Sequence, residues 1–187
     1  MKRVFIAIRV EPGTEFLKMF SFFKTILKDD SIKWTENSNI HITLVFLGDT
    51  QEERVKEIDN LLKEICSCIG SFNLELCGAG VFRSIKDPRV IWAGLGRSPE
   101  MDLLHNKITS ALRETGTPLE ERPFNPHLTL GRIKRMSNIT VLSDLIEKYR
   151  NKEIQRIRVT EITFYESILR PEGPVYKPVG VYRLSGI

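Results

Sequence analysis

The tetrapeptides His41-Ile42-Thr43-Leu44 and His127-Leu128-Thr129-Leu130 stand 86 positions apart and differ only at their second place. The chain has three histidines in all. With its own Thr and Leu frequencies, two of them gaining Thr at +2 and Leu at +3 by chance is on the order of one in ten thousand. The same offset carries Val4 onto Val90 and Ala7 onto Ala93. A repeat of this kind constrains the fold strongly. Two copies of one unit facing each other about a pseudo-twofold axis bring their equivalent residues together from opposite sides.

The rest of the pattern fits a duplicated unit. Val4 to Ile8 reads as a buried strand, Thr14 to Leu27 as a helix with Phe16, Leu17, Phe20, Phe23 and Leu27 at helical spacing, and Ile40 to Leu47 as a second strand closed by Gly48-Asp49. Gln51 to Ile65 is an amphipathic helix, and Phe72 to Leu76 alternates as a strand. An irregular stretch from Gly78 to Arg89 follows, and then the order restarts. Strands are predicted at Val90 to Leu95, Pro126 to Arg132 and Ile154 to Phe164, helices at Met101 to Thr115 and Ile139 to Tyr149, and a last strand at Val175 to Leu184. These signals predict an α+β fold: a bilobal, duplicated β-α-β-α-β unit, with two mostly antiparallel sheets facing across a central cleft and helices outside. The halves, approximately 1–88 and 89–187, share one domain spanning 1–187, with no linker between them.

Composition narrows the class. With 41% hydrophobic and 28% charged residues the chain is an ordinary globular one. Its net charge of +4 and pI near 9.0 tilt it mildly toward polyanionic partners. The apolar run from Val4 stops at Arg9, too short for a signal peptide, and no stretch approaches the ~18 apolar residues of a membrane span, so a cytoplasmic protein is expected. Cys66, Cys68 and Cys77 make neither a disulfide framework nor a four-ligand metal set, and read as reduced thiols packed like small hydrophobes.

The repeated motif carries the chemistry. Side chains two apart on a strand share a face, so His41 has Thr43 beside it and His127 has Thr129, while Ile40, Ile42, Leu44, Leu128 and Leu130 turn to the core. One histidine in a half-buried strand is usually a packing residue; two matched copies in a duplicated frame point to a site. Two imidazoles titrating near neutrality divide proton transfer, one giving while the other takes, and two threonine hydroxyls hydrogen-bond non-bridging phosphate oxygens. That arrangement suits in-line displacement at phosphorus without a metal or cofactor. The residues themselves leave acid and base interchangeable. His105 falls off the apolar stripe of its helix and reads as a solvated surface residue.

These residues resemble the two-histidine phosphoesterases, with their paired His-x-Thr-x motifs, and among them the RNA 2′,3′-cyclic phosphodiesterases, also called 2′-5′ RNA ligases. The resemblance extends over the Phe5-Ile6-Ala7-Ile8 opening, His41 to Gly48, Val90-Ile91-Trp92-Ala93-Gly94, Pro126 to Arg132, and a tail of Pro171-Glu172-Gly173-Pro174-Val175-Tyr176. It implies opening of a cyclic phosphate at an RNA 3′ end to leave a 2′-phosphate, with His41 as proton donor and His127 as proton acceptor. Thr43 and Thr129 match phosphate-binding threonines. Phe46 and Arg132, each five positions past its histidine, resemble residues that hold the terminal nucleoside and the phosphate. Strict alternation turns both away from the motif face, so a strand end or bulge near Gly48 and Gly131 is required. The implied partner is RNA ending in a 2′,3′-cyclic phosphate, or a small cyclic nucleotide, with no membrane and no protein partner. Two other readings stand beside hydrolysis: a nucleotide- or RNA-binding module without turnover, and 2′-5′ ligation as the working direction.

Overall fold

The computed structural model describes residues 1–187 apart from Arg122, Glu172 and Ile187, so Glu172 of the tail motif lies outside the described residues. The elements follow in the order β1 (Lys2–Arg9), α1 (Thr14–Ile26), β2 (Ser31–Trp34), β3 (His41–Thr50), α2 (Glu52–Ser67), β4 (Phe72–Ser84), β5 (Asp87–Leu95), α3 (Pro99–Glu114), β6 (Leu128–Arg135), α4 (Ile139–Tyr149), β7 (Glu153–Val159), β8 (Glu161–Leu169) and β9 (Pro174–Arg183). A 3-10 turn at Asn37–Asn39 leads into β3.

Local chemistry sets the helix ends. The Ser98 hydroxyl accepts the Met101 N–H ahead of Pro99, and the Asn138 side-chain oxygen accepts from Thr140 and Val141, so α3 and α4 start where a cap is available. Helix α1 has no side-chain cap; the Gln155 side-chain oxygen instead accepts from Gly13 N–H at 2.8 Å and ties the helix start to β7. Its buried face is Phe16, Met19, Phe20 and Phe23, with Leu27 buried just past its end, whereas Leu17, expected on that face, is exposed.

All strand pairs are antiparallel, in the order β7-β4-β5-β6-β3-β1-β8-β9, with β2 as a branch on β6. The order is a palindrome if β7 answers to β9, β4 to β8, β5 to β1 and β6 to β3. The two lobes therefore join at β6 and β3, where the recorded pair is Ile42 with Leu128. Each lobe takes two strands from the other half of the sequence: β4 pairs with β5 and β2 with β6, while β8 pairs with β1 and carries β9 with it. Helices exchange likewise, α1 lying on β7 and α3 on β3. One apolar core runs through both lobes, from Ile6 and Ile42 to Leu104, Leu128 and Leu142.

Three elements differ from the sequence expectation. The stretch from Gly78 to Arg89 is not irregular; β4 continues to Ser84 and turns into β5 from Asp87. Two glycines hid it, and one of them, Gly80, is needed because a Cβ there would lie 2.2 Å from the Trp92 ring. The run from Ile154 to Phe164 is two strands parted at Thr160, because the chain there leaves one lobe for the other. The short β2 was not anticipated, since its pattern is too brief to separate from a loop. Cys66 is buried as a small hydrophobe, its thiol pushed up to about 12 by burial, whereas Cys68 is exposed rather than packed. Among the described residues no helix is long and apolar enough to cross a membrane.

The repeat also differs in register. Thr43 lies opposite Ala7, and Thr129 opposite Trp92, so the strands beside the two motifs correspond at an offset of 85, not 86. The single-residue difference matters because a strand alternates faces. It matches Ala7 to Trp92 on the motif face, and Ile6 and Ile8 to Ile91 and Ala93 in the core.

Candidate active site

Extending the Ile42–Leu128 pair one residue either way sets His41 opposite Thr129 and Thr43 opposite His127. Ile42 and Leu128 are fully buried, so the four polar residues turn to the other face of the sheet, where all are half-buried. The histidines occupy one diagonal of this square and the threonines the other. The structure thus brings together the four residues of the two motifs.

Backbone carbonyls orient both imidazoles. His41 Nδ1 lies 2.7 Å from the Asn39 carbonyl oxygen, and His127 Nδ1 lies 2.9 Å from that of Asn125. A carbonyl only accepts, so each Nδ1 carries a proton and each Nε2 is the nitrogen left to exchange one. The repeat is therefore longer than the tetrapeptide: Asn-x-His-x-Thr-Leu in both copies. The matched asparagines were visible in the sequence and were missed. Asn39 also donates through Nδ2 to the Pro174 carbonyl at 3.1 Å, fastening the turn before β3 to the start of β9.

Aromatic rings hold the histidines from below. His41 packs against Phe5 at 5.1 Å between ring centres and edge-on to Tyr176 at 5.2 Å; His127 stands edge-on to Phe82 at 4.5 Å, and Phe82 leans on Trp92. The paired tetrapeptides mark none of these rings: Phe5, Trp92 and Tyr176 fall in the other segments of resemblance and Phe82 in none, and β1, β4, β5 and β9 bring them to the histidines only through tertiary pairing. Burial lowers both histidine pKa values below the ordinary imidazole range, partly countered by the carbonyl bonds. Arg132 lowers both further, and His127 also lowers His41, so the three groups sense one another's charge. Burial raises the Tyr176 phenol above its ordinary range, an effect Arg132 partly offsets.

Bulges bring Phe46 and Arg132 to the same face. The ladder skips Leu44 between the pairs Ala7–Thr43 and Ile6–Val45, and skips Leu130 between Trp92–Thr129 and Ile91–Gly131. The required bulge is present in both copies at matching positions, Leu130 beside Gly131 and Leu44 ahead of Gly48, and the first strand slips once more at Leu47 beside Gly48. It places Phe46 opposite Phe5, and Arg132 opposite Val90, on the motif face. Phe46 is 39% exposed for so large an apolar ring, and the Arg3 guanidinium lies 5.0 Å from its centre. A cavity of about 160 Å³ opens beside His41 between Arg9, Asn39, Tyr165 and Tyr176.

His105 is not a solvated surface residue. It is half-buried and stacked on Phe124 at 3.8 Å, in the segment that leads to His127. Among the described residues no three of His, Cys, Asp and Glu gather closely enough to hold a metal ion.

Comparison with known proteins agrees with this geometry. The family model described as the 2′-5′ RNA ligase superfamily matches residues 26–168. A protein of Archaeoglobus fulgidus named RNA 2′,3′-cyclic phosphodiesterase is 31% identical over 180 residues, covering 96% of this chain and 99% of its own. One of the same name from Methanothermobacter thermautotrophicus is 32% identical over 184 residues, covering 97% and 98%. Among solved structures, E. coli LigT complexed with 3′-AMP superposes with a TM-score of 0.74 at 25% identity over 98% of both chains. Motif, palindromic sheet and relatives agree that this chain belongs to the 2′-5′ RNA ligase superfamily.

Proposed function

We propose that the protein hydrolyses RNA 2′,3′-cyclic phosphodiester ends to 2′-phosphomonoesters. The observation that carries this reading is the square of His41, Thr129, His127 and Thr43, with both imidazoles locked in the tautomer that leaves Nε2 to the cleft. His127 Nε2 takes a proton from water as the water oxygen attacks phosphorus. The bond from phosphorus to O3′ breaks, and His41 Nε2 gives its proton to O3′. A 2′-phosphate and a free 3′ hydroxyl result, and solvent exchange resets the two histidines. Thr43 and Thr129 donate to the non-bridging oxygens and Arg132 offsets their charge, stabilising charge where it grows. Phe46 offers a ring on which the terminal base stacks. The names of the relatives support RNA as the substrate class.

A 5′ hydroxyl in place of water turns the same geometry to 2′-5′ ligation; water at its bulk concentration makes hydrolysis the default direction. The test is product analysis after incubation with a short RNA ending in a 2′,3′-cyclic phosphate, in excess EDTA. A 2′-phosphate product is expected. A mainly 3′-phosphate product removes the assignment of the leaving oxygen, turnover that returns only with added metal removes the metal-independent mechanism, and binding without turnover favours the non-catalytic module.

A further inference from the structure

Lys33 is a cation on the motif face with no part in the proton-transfer machinery. Lys33 of β2 pairs directly opposite Arg132 of β6. Their neighbours in the same ladder, Ile32 with Ile133 and Trp34 with Gly131, pack toward the core, so Lys33 and Arg132 share the outer face. Like charges set directly across a ladder repel, and the sheet gains nothing from them by itself. Neither takes part in an ion pair among the described residues, although Lys2, Lys18, Arg54, Lys63, Arg83, Arg89, Arg150 and Arg156 all do. Two adjacent exposed cations with no ion-pair partner among the described residues form a place for an anion.

The position of the ammonium says which anion. Lys33 Nζ lies 3.2 Å from where a Cβ on Gly173 would stand, so the side chain crosses from β2 to the tip of the β8–β9 hairpin in the other lobe. That hairpin continues through Pro174, held by Asn39, to Tyr176 against His41. Lys33 is thus one strand beyond Arg132 at the rim of the cleft, outside the two histidines and two threonines that surround the reacting phosphorus. A cyclic phosphate carries a single negative charge, already met by those groups and Arg132. A nucleotide within RNA brings a second anion one ribose away, the phosphodiester on its 5′ oxygen.

We infer that Lys33, beside Arg132, binds the 5′ phosphate of the terminal nucleotide and makes the site selective for RNA ends over free nucleoside cyclic phosphates. The inference rests on the proposed function for the placement of the reacting phosphate. Its test is calorimetric binding of adenosine 2′-monophosphate and adenosine 2′,5′-bisphosphate to the wild type, Lys33→Ala and Lys33→Arg at low salt. The added 5′ phosphate should tighten binding roughly tenfold in the wild type, as a charge-assisted contact does, and to within about twofold of no gain in Lys33→Ala. Lys33→Arg should keep most of the gain, and the gain should shrink as salt rises. No gain in the wild type, or the full gain in Lys33→Ala, overturns the inference. Turnover of a short RNA ending in a 2′,3′-cyclic phosphate, measured on the same wild-type sample, reports separately on the proposed function: its absence sinks the hydrolase reading and leaves the binding comparison intact.

Discussion

At the scale of single residues, the site rests on two imidazoles whose positions are fixed by backbone carbonyls and whose pKa values are lowered by burial. If one donates and one accepts, kcat/KM follows a bell in pH, and the depressed values put its alkaline limb below the range of a free imidazole. His41→Ala and His127→Ala should each lower turnover by roughly 10²- to 10⁴-fold. The double variant should lose much less than the product of the two, because groups that act as a unit are not additive. Near wild-type rates in both single variants would end the catalytic assignment. Arg132→Ala should act twice over. Loss of the guanidinium costs about tenfold in kcat/KM through the phosphate contact, and it removes a cation that disfavours both imidazolium forms, so the optimum moves to higher pH. A weaker enzyme with an unmoved profile would place Arg132 away from the pair.

At the scale of elements, the bulges at Leu44 and Leu130 determine which side chains the site can use. A regular ladder keeps His41 and Thr43 on one face and sends Phe46 to the other; one extra residue in the strand reverses the parity after Thr43, and again after Thr129. The floor beneath His127 depends on close approach of β4 to the Trp92 ring. Gly80→Ala would set a methyl 2.2 Å from Trp92 Cζ2, and an indole wedged among strands cannot swing aside as a flexible chain end does. The expected result is a loss of about 1–3 kcal/mol in stability, read as a lower Tm, together with a changed indole fluorescence and reduced turnover. An unchanged melt and spectrum would show that the ring has room to shift.

At the scale of the whole molecule, the lobes meet at the Ile42–Leu128 pair but share one core and exchange both strands and helices. Neither half of the sequence closes a lobe alone. A single domain is therefore proposed, and unfolding should be one transition, coincident by near- and far-ultraviolet circular dichroism; two separated transitions would mean that the lobes fold independently. The histidines also couple stability to pH. Folding lowers their pKa values, so between the folded and unfolded values the unfolded chain binds more protons. The stability they confer is complete above about 6.5, the unfolded value, and is lost as pH falls through the folded values. Replacing either histidine with Asn should flatten the dependence of Tm on pH below neutrality; an unchanged slope would show that other groups set it.

The sequence by itself determined the α+β class, the duplicated unit, most element positions and the four polar residues that gather at the candidate site, because these follow from local periodicity and from one motif written twice. His-x-Thr spacing is a property of a single strand, and a strand's alternation is legible without its neighbours. What only the tertiary structure decided is everything that depends on which strands pair. The exchange of β4 and β8 between lobes, the one-residue slip that matches Ala7 to Trp92, the rings of Phe5, Phe82 and Tyr176 under the histidines, and the placing of Lys33 beside Arg132 all belong to this class. Pairing is non-local, chosen by the burial of a shared core rather than by the preferences of adjacent residues, and so it leaves little mark on the chain until the chain is folded.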